Sequence, residues 1–433
     1  MPSMLKRMKI QSEDLLRYDP VVRNLLAFLI LLRTPAAQAA NTVAAARIVH
    51  RLCQAARLAA SGTMMHKAEA AIARQFPAID PEKVPWAEFL PDFGQPSIHK
   101  AIALKRYVSE RERGVVFVSF DNQMARLAKA RDLRKFAERY TLVLSPQWSP
   151  PHSVASYLFP RLYPDSIFCL ISNPRDLDIF PRMSDRYKMV PLYASNWFDP
   201  RKYTPVLAAE KDIDILMVAN FGKFKRHHAF FKALRNLPRN YRIVLVGQNE
   251  RGRTRETVLK EAEAFGVRDR FEIRQDVPYE ELQAFISRAR ISLVLSRREG
   301  SCVVVVESMF ANTPVGVYED AEMGSLVFIN EHTGRLLKHD RLAAQLRDFV
   351  ESSPQYQPRQ WVMANGVDCV ASSQTLNWAL KQHALSSGCE WTEDIATLRW
   401  RPDPQYYDPH AAERLRPCYQ DIESRCGIGI VAP

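Results

Sequence analysis

The feature that most constrains this chain is an alternation starting near Asp212. Short β-rich runs trade places with segments of helical spacing: Ile213–Val218 (IDILMV), Phe230–Leu237, Arg242–Val246 (RIVLV), Thr254–Phe265, Phe271–Arg274, Tyr279–Ala289, Ile291–Leu295 (ISLVL), Val304–Ala311 and Pro314–Tyr318. Antiparallel strands can be joined by a tight turn, whereas parallel strands need a crossover of many residues, usually a helix. The pattern predicts a parallel sheet with helices on both faces, a doubly wound α/β domain. Such sheets take ligands beyond the carboxyl ends of their strands. Gly266 stops one predicted helix. Glu280 and Glu281 sit in the first turn of the next, where the helix dipole favours acids.

A shorter alternation begins at Gly114. Val115–Phe120 (VVFVSF), Thr141–Leu144 and Ile167–Ile171 (IFCLI) read as strands, Gln123–Tyr140 as a helix, and Pro146–Pro151 and Pro160–Pro164 as loops. Upstream, the alanine-rich stretches Asn41–Ala60 and Met64–Arg74 read as helices. Asn196–Pro205 reads as a linker between domains. At 433 residues the chain is too long for one core. The expected organisation is a helical N-terminal extension (1–112), a first Rossmann-like domain (113–200), a second (201–350), and a tail (351–433) packing back on the first domain.

Hydrophobic content of 47% and charged content of 25% exclude disorder as the main state. A net charge of +12 favours phosphate-bearing partners or an anionic membrane face. No zinc-finger spacing, basic zipper or RNA-binding aromatic signature is present, so no nucleic acid partner is expected. Seven cysteines, an odd number without Cys-x-x-Cys spacing, argue against a disulfide framework and fit a reducing, cytoplasmic compartment. The run Leu25–Leu32 (LLAFLILL) is too short to span a bilayer as a helix. It reads first as a buried core helix. The alternatives are a foot lying peripherally on the inner membrane face, aided by Lys6, Arg7, Lys9, Arg17 and Arg23, and a cleaved signal ending at Ala37-Gln38-Ala39.

The chemistry concentrates in Ser296-Arg297-Arg298-Glu299-Gly300-Ser301-Cys302-Val303, followed by the helical segment that holds Glu307. A strand ends at a loop bearing one carboxylate, and a second carboxylate follows two turns into a helix. Gly300 and Ser301 let the backbone approach a ligand, with amide hydrogens free to meet an anion. Taken singly, Glu299 also reads as a helix cap and Glu307 as a solvated helix face.

This segment resembles the E-x7-E motif of retaining glycosyltransferases with two Rossmann-like domains (the GT-B architecture), most like glycosyltransferase family 4. Asn312-Thr313-Pro314-Val315 resembles that family's Gly-x-Pro-Val run, and Thr333-Gly334-Arg335-Leu336 its Thr-Gly-x-Leu segment. Val277-Pro278 with Glu280-Glu281-Leu282 resembles its turn before the donor loop. The matches span roughly 212–340. The resemblance implies a sugar transferred with retention from a nucleotide-diphosphate sugar to a saccharide or lipid-linked acceptor in surface polysaccharide or glycoconjugate synthesis. The acceptor would fall to the first domain. Glu299 would hold the donor sugar, Glu307 the ribose, and the amides of Ser301, Cys302 and Val303 the diphosphate. Lys225 would neutralise the leaving group, with no cofactor and no metal required. Asn220 stands where the family carries arginine, and Lys223 or Arg226 could substitute for it, while Arg297 and Arg298 lie beside the donor loop. Gly222, Gly247 and Val277 would border the donor. In the first domain, His152 and Asn173 are the candidates. Asp176-x-Asp178 and Asp212-x-Asp214 match a metal-binding pattern of another glycosyltransferase fold, but Asp212 and Asp214 read as the solvated side of a strand entry. Two other readings fit the same residues: a non-catalytic protein that binds a nucleotide sugar or a partner, and a nucleotide-sugar epimerase.

Overall fold

The computed structural model describes residues 2–90, 97–146, 148–400 and 403–432. The chain divides into two compact units, one formed by Met1–Tyr18 and Phe198–Asp368, the other by Asp19–Trp197 and Cys369–Pro433. Four helices open the chain: α1 (Pro2–Tyr18), α2 (Pro20–Leu32), α3 (Thr42–Leu58) and α4 (Gly62–Ala73). Side-chain caps start α2 to α4. Asp19 accepts from the amides of Val21 and Val22, Asn41 from Ala44, and Ser61 from Met64, satisfying amides that have no partner within a helix.

The unit that contains α2 to α4 is built on a five-stranded sheet: β1 (Ala101–Lys105), β2 (Gly114–Ser119), β3 (Tyr140–Ser145), β4 (Ile167–Ile171) and β5 (Tyr187–Tyr193), in that spatial order. β1 runs antiparallel to β2 and the rest are parallel. The Ala101–Lys105 strand lies inside the stretch expected to be helical. All five of its residues are buried, so ladder pairing with β2 overrides the helical preference of its Ala and Leu residues. The late chain returns to this unit. The Tyr406 hydroxyl donates to the Ala103 carbonyl (2.7 Å), and Gly429–Ile430 pairs in parallel with Ser97–Ile98.

The other unit has a six-stranded, all-parallel sheet: β6 (Ile213–Val218), β7 (Ile243–Gly247), β8 (Glu272–Gln275), β9 (Ala289–Val294), β10 (Val315–Tyr318) and β11 (Gly334–Leu337). Its spatial order is β11-β10-β9-β6-β7-β8. Helices α5 (His227–Leu234), α6 (Arg255–Phe265), α7 (Tyr279–Arg288) and α8 (Val304–Phe310) supply crossovers. The order reverses between β6 and β9, which run side by side but leave in opposite directions around the sheet. Sheets of this kind take ligands at such a reversal, outside the strands' carboxyl ends.

The structure divides the chain differently from the boundaries 1–112, 113–200, 201–350 and 351–433. α1 joins the six-stranded unit, because Asp14 pairs with Arg226 (2.8 Å) and Glu13 with Lys223 (2.7 Å). The expectation that Leu25–Leu32 is a buried core helix is corrected. α2 rests on its own unit through Ala27 and Arg23, both buried, and leaves Leu25, Leu26, Phe28 and Leu32 exposed. The Arg23 guanidinium donates to the carbonyls of Leu58 (3.1 Å) and Ala59 (3.3 Å), satisfying the charge that the helix turns inward.

Candidate active site

The carboxyl ends of β6, β7, β8 and β9 bring together most of the candidate residues. Beyond β6, the Asn220 side-chain oxygen accepts from the Gly222 amide (3.2 Å), closing a tight turn. Its amide nitrogen donates to Glu250 (3.3 Å). Asn220 therefore shapes the turn that carries Lys225. Beside it, a Cβ on Gly247 would stand 2.2 Å from the Ala219 carbonyl oxygen, so only glycine lets the strand after β6 pass so close. The Gly247 carbonyl accepts from Asp276 (3.0 Å), which sets Val277 at the mouth of β8.

The turn Lys223–Lys225 ends at Arg226 in the left-handed region (φ 56°, ψ 42°), and α5 starts from there. Lys225 reaches across to the loop after β9, where its ammonium pairs with Oε1 of Glu299. Ser296 Oγ donates to the same oxygen (2.6 Å). The pair is largely buried, with 14% of the Lys225 side chain and 10% of the Glu299 side chain exposed. Burial works against the Lys225 charge, but the Glu299 carboxylate more than offsets it, and the ammonium's pKa stands above the usual lysine value. Lys225 is therefore a fixed cation at neutral pH.

The Glu299 loop is stitched to a neighbouring segment. The Glu299 amide donates to the Glu322 carbonyl (3.0 Å), Glu322 to Arg297 (2.7 Å), and Gly324 to Gly300 (2.8 Å). Cys302 sits in the left-handed region (φ 48°) and turns the chain into α8 through Val303. Burial pushes the Cys302 thiol well up, and the Glu299 carboxylate adds to this. Lys225 and Glu307 also act on that thiol, the first lowering and the second raising it.

Glu307 lies fully buried on α8. Its Oε1 accepts from the hydroxyls of Tyr279 (2.8 Å) and Tyr203 (3.1 Å), which stand 2.6 Å apart. Such donors let a carboxylate remain in the interior. Nothing in the sequence singled out Tyr203 or Tyr279. Tyr279 opens α7 directly after Val277-Pro278, the one sequence clue to its place.

The remaining candidates have other partners. Arg226 makes a two-pronged pair with Asp14 (2.8 and 2.9 Å) between the rings of Tyr18 and Tyr318, and Arg297 pairs with Asp320 (2.6 Å). In the five-stranded unit, His152 is buried against Glu69 (3.0 Å), and burial lowers its pKa. Asn173 accepts from the Arg175 amide (3.3 Å) in a turn. Asp176 accepts from Ser149 and from the amides of Ser172 and Asn173, and Asp212 pairs with Arg242 and Arg288. Among the described residues no three His, Cys, Asp or Glu side chains gather in a way that could hold a metal ion.

Fold and site together define two Rossmann-like units of the GT-B class, with the Lys225–Glu299 pair at the switch point of one. Residues 201–362 match the family described as Glycosyl transferases group 1. No curated protein matches the chain in sequence. Among solved structures, the chain is similar to Anabaena Alr3699/HepE in complex with UDP. The TM-score is 0.50 at 16% identity, over 64% of this chain and 79% of that one. At that identity the likeness speaks to the fold. Sucrose-phosphate synthase from Thermosynechococcus elongatus (TM-score 0.46, 17% identity, 75% of this chain and 79% of that one) is also matched. So is the lipopolysaccharide outer core galactosyltransferase WaaB (0.47, 16%, 62% and 75%). The family match supports glycosyl transfer as the class of activity.

Proposed function

We propose that this chain transfers a sugar, with retention, from a nucleoside-diphosphate sugar to a saccharide or lipid-linked acceptor in surface polysaccharide or glycoconjugate synthesis. The observation that carries the reading is the buried Lys225–Glu299 pair at the strand-order switch point, in the loop that leads into α8 and Glu307 in its first turn. Cleavage of the donor loads negative charge onto the departing diphosphate. A preorganised cation in a water-poor site stabilises that charge in the transition state. Lys225 supplies the cation, and the amides of Ser301, Cys302 and Val303 supply further donors. Glu299, which holds Lys225 in place, accepts hydroxyls of the donor sugar, and Glu307 those of the ribose. The reading requires no metal. Retention rests on the E-x7-E resemblance.

Acceptor binding falls to the other unit in this reading. There a cavity of about 310 Å³ opens beyond β2 and β3, lined among others by Trp86, Phe89, Trp148, Arg57, Asp121 and Asn122. Flat aromatic rings beside hydroxyl-binding side chains suit a sugar.

The test is release of nucleoside diphosphate from a panel of UDP-, GDP- and ADP-sugars with saccharide acceptors. Wild type should turn over at least one donor, and Glu299→Gln should lose at least about a hundredfold in kcat, the scale of losing one electrostatic contact to the transition state. Glu299→Gln turning over like wild type would overturn the assignment. Donor binding without turnover by wild type would favour the binding-only reading, which Asn220 at the arginine position motivates.

A further inference from the structure

Lys225 stands on a piece of chain that supports itself poorly. Two backbone bonds close the turn Lys223–Lys225, from the Lys225 amide to the Gly222 carbonyl and from the Arg226 amide to that of Lys223 (3.1 Å each). Arg226 then takes the left-handed conformation (φ 56°, ψ 42°) and starts α5 without a side-chain cap. A residue with a Cβ keeps that conformation only where its surroundings impose it. Here they come from the start of the chain. Asp14, on α1, meets the Arg226 guanidinium with both carboxylate oxygens, Oδ1 to Nε (2.9 Å) and Oδ2 to Nη2 (2.8 Å), and lies 3.6 Å from the His228 ring. Glu13 takes Lys223 (2.7 Å). The Tyr18 ring, at the end of α1, stands 5.7 Å from the same guanidinium, a cation–π distance. At its other end α1 is fastened to α6, where the Lys6 ammonium donates to the Lys260 carbonyl (3.0 Å).

α1 thus holds positions 223, 226 and 228, on both sides of Lys225. The Asp14–Arg226 pair carries most of the weight because it is buried, whereas Glu13 and Lys223 are exposed and such pairs hold little. A lysine side chain is long and flexible, and its charge serves a leaving group only when it is fixed beforehand. We propose that α1 is a clamp that positions Lys225 against Glu299, with Asp14 and Tyr18 as its positioning residues, so that a helix outside the sheet sets how firmly the site holds a nucleoside diphosphate. Only the effect on the diphosphate rests on the sugar-transfer reading.

The test is trace acylation of the whole chain with acetic anhydride, read lysine by lysine by mass spectrometry. The reagent takes a neutral, accessible amine. Lys225 is largely buried, and Glu299 holds its pKa above the usual lysine value, so it should react slowly in wild type. Lys211 is the internal control for the same unit. Its ammonium is bonded to the carbonyls of Ala289 (2.8 Å) and Asn312 (3.0 Å), and burial lowers its pKa to about 8, so a general opening would raise its rate. Asp14→Asn and Tyr18→Leu should each speed Lys225 acylation about tenfold and leave Lys211 unchanged, the sign of a local loosening. Tyr18→Phe keeps the ring and should react as wild type does. Asp14→Asn and Tyr18→Leu should also weaken UDP, GDP or ADP, whichever wild type binds, by about tenfold. The proposal is overturned if Lys225 reacts at the wild-type rate in both variants. It is equally overturned if Lys211 speeds up with Lys225, which would make α1 a support of the whole unit. Nucleotide bound by the variants as tightly as by wild type, or more tightly, would overturn it as well. A wild type that binds none of the three nucleotides, with Lys225 acylation alone rising in the variants, would sink the sugar-transfer reading and leave the clamp standing.

Discussion

Replacing Asp14 with alanine isolates the contact that ties α1 to the loop of Lys225. Asp14 meets the Arg226 guanidinium at 2.8 to 3.2 Å, and His228 lies 3.6 Å away. Burial alone would raise the Asp14 pKa, but bonds from His228 and Arg226 outweigh it and hold the carboxyl well below its usual range. Only 7% of the Arg226 side chain is exposed, so removing Asp14 strands a buried cation. Breaking such a pair costs about 3–5 kcal/mol. Arg226 keeps the rings of Tyr18 and Tyr318, and water reaches the carboxylate side, which puts the loss near the lower end, about 3 kcal/mol. For a unit of this size each kcal/mol moves Tm by about 2–4 °C, so Asp14→Ala should melt about 6–12 °C early by calorimetry. Adding Arg226→Met removes the stranded charge and should recover much of that loss. A shift below about 1 °C, or a double variant no more stable than Asp14→Ala, would refute the reasoning.

Three further outcomes follow. Tyr279→Phe takes one donor from the buried Glu307 carboxylate and should cost about 1–3 kcal/mol in urea denaturation; no loss would mean the hydroxyl does not donate. Gly247→Ala drives a methyl against the Ala219 carbonyl and should cost about 1–3 kcal/mol, with weaker nucleotide binding; a neutral effect would contradict the close approach. Burial raises Glu69, but bonds from His152 and Arg182 bring it down to about 2. That stability is present above the unfolded value of about 4.3 and is lost as pH falls through about 2. The Tm gap between wild type and Glu69→Gln should therefore close between pH 5 and pH 2, and a constant gap would contradict it.

The sheets were legible where hydrophobic runs are short and bounded: Ile213–Val218 and Ile167–Ile171 form strands over the ranges read from sequence. The spacing of Glu299 and Glu307 was legible because loop and helix lie in one continuous segment. What escaped depends on contacts distant in sequence. Asp14 and Arg226 lie 212 positions apart, and Tyr203 and Glu307 lie 104 apart. No local pattern announces either pairing. Arg226 and Arg297 looked like spare cations until their acids, Asp14 and Asp320, were in place. In α2 the apolar composition was plain, but which face turns outward depends on Arg23 finding the carbonyls of Leu58 and Ala59.

The account stands on Lys225, Glu299 and Glu307 forming one nucleotide-sugar site, and calorimetric titration of the full chain with UDP, GDP and ADP tests this most directly. At least one nucleotide should bind, and Lys225→Met and Glu307→Gln should each weaken it by roughly ten- to a hundredfold, the scale of losing a charged hydrogen bond. Arg297→Gln should leave it unchanged. No binding by any of the three, or wild-type affinity in both Lys225→Met and Glu307→Gln, would contradict the account.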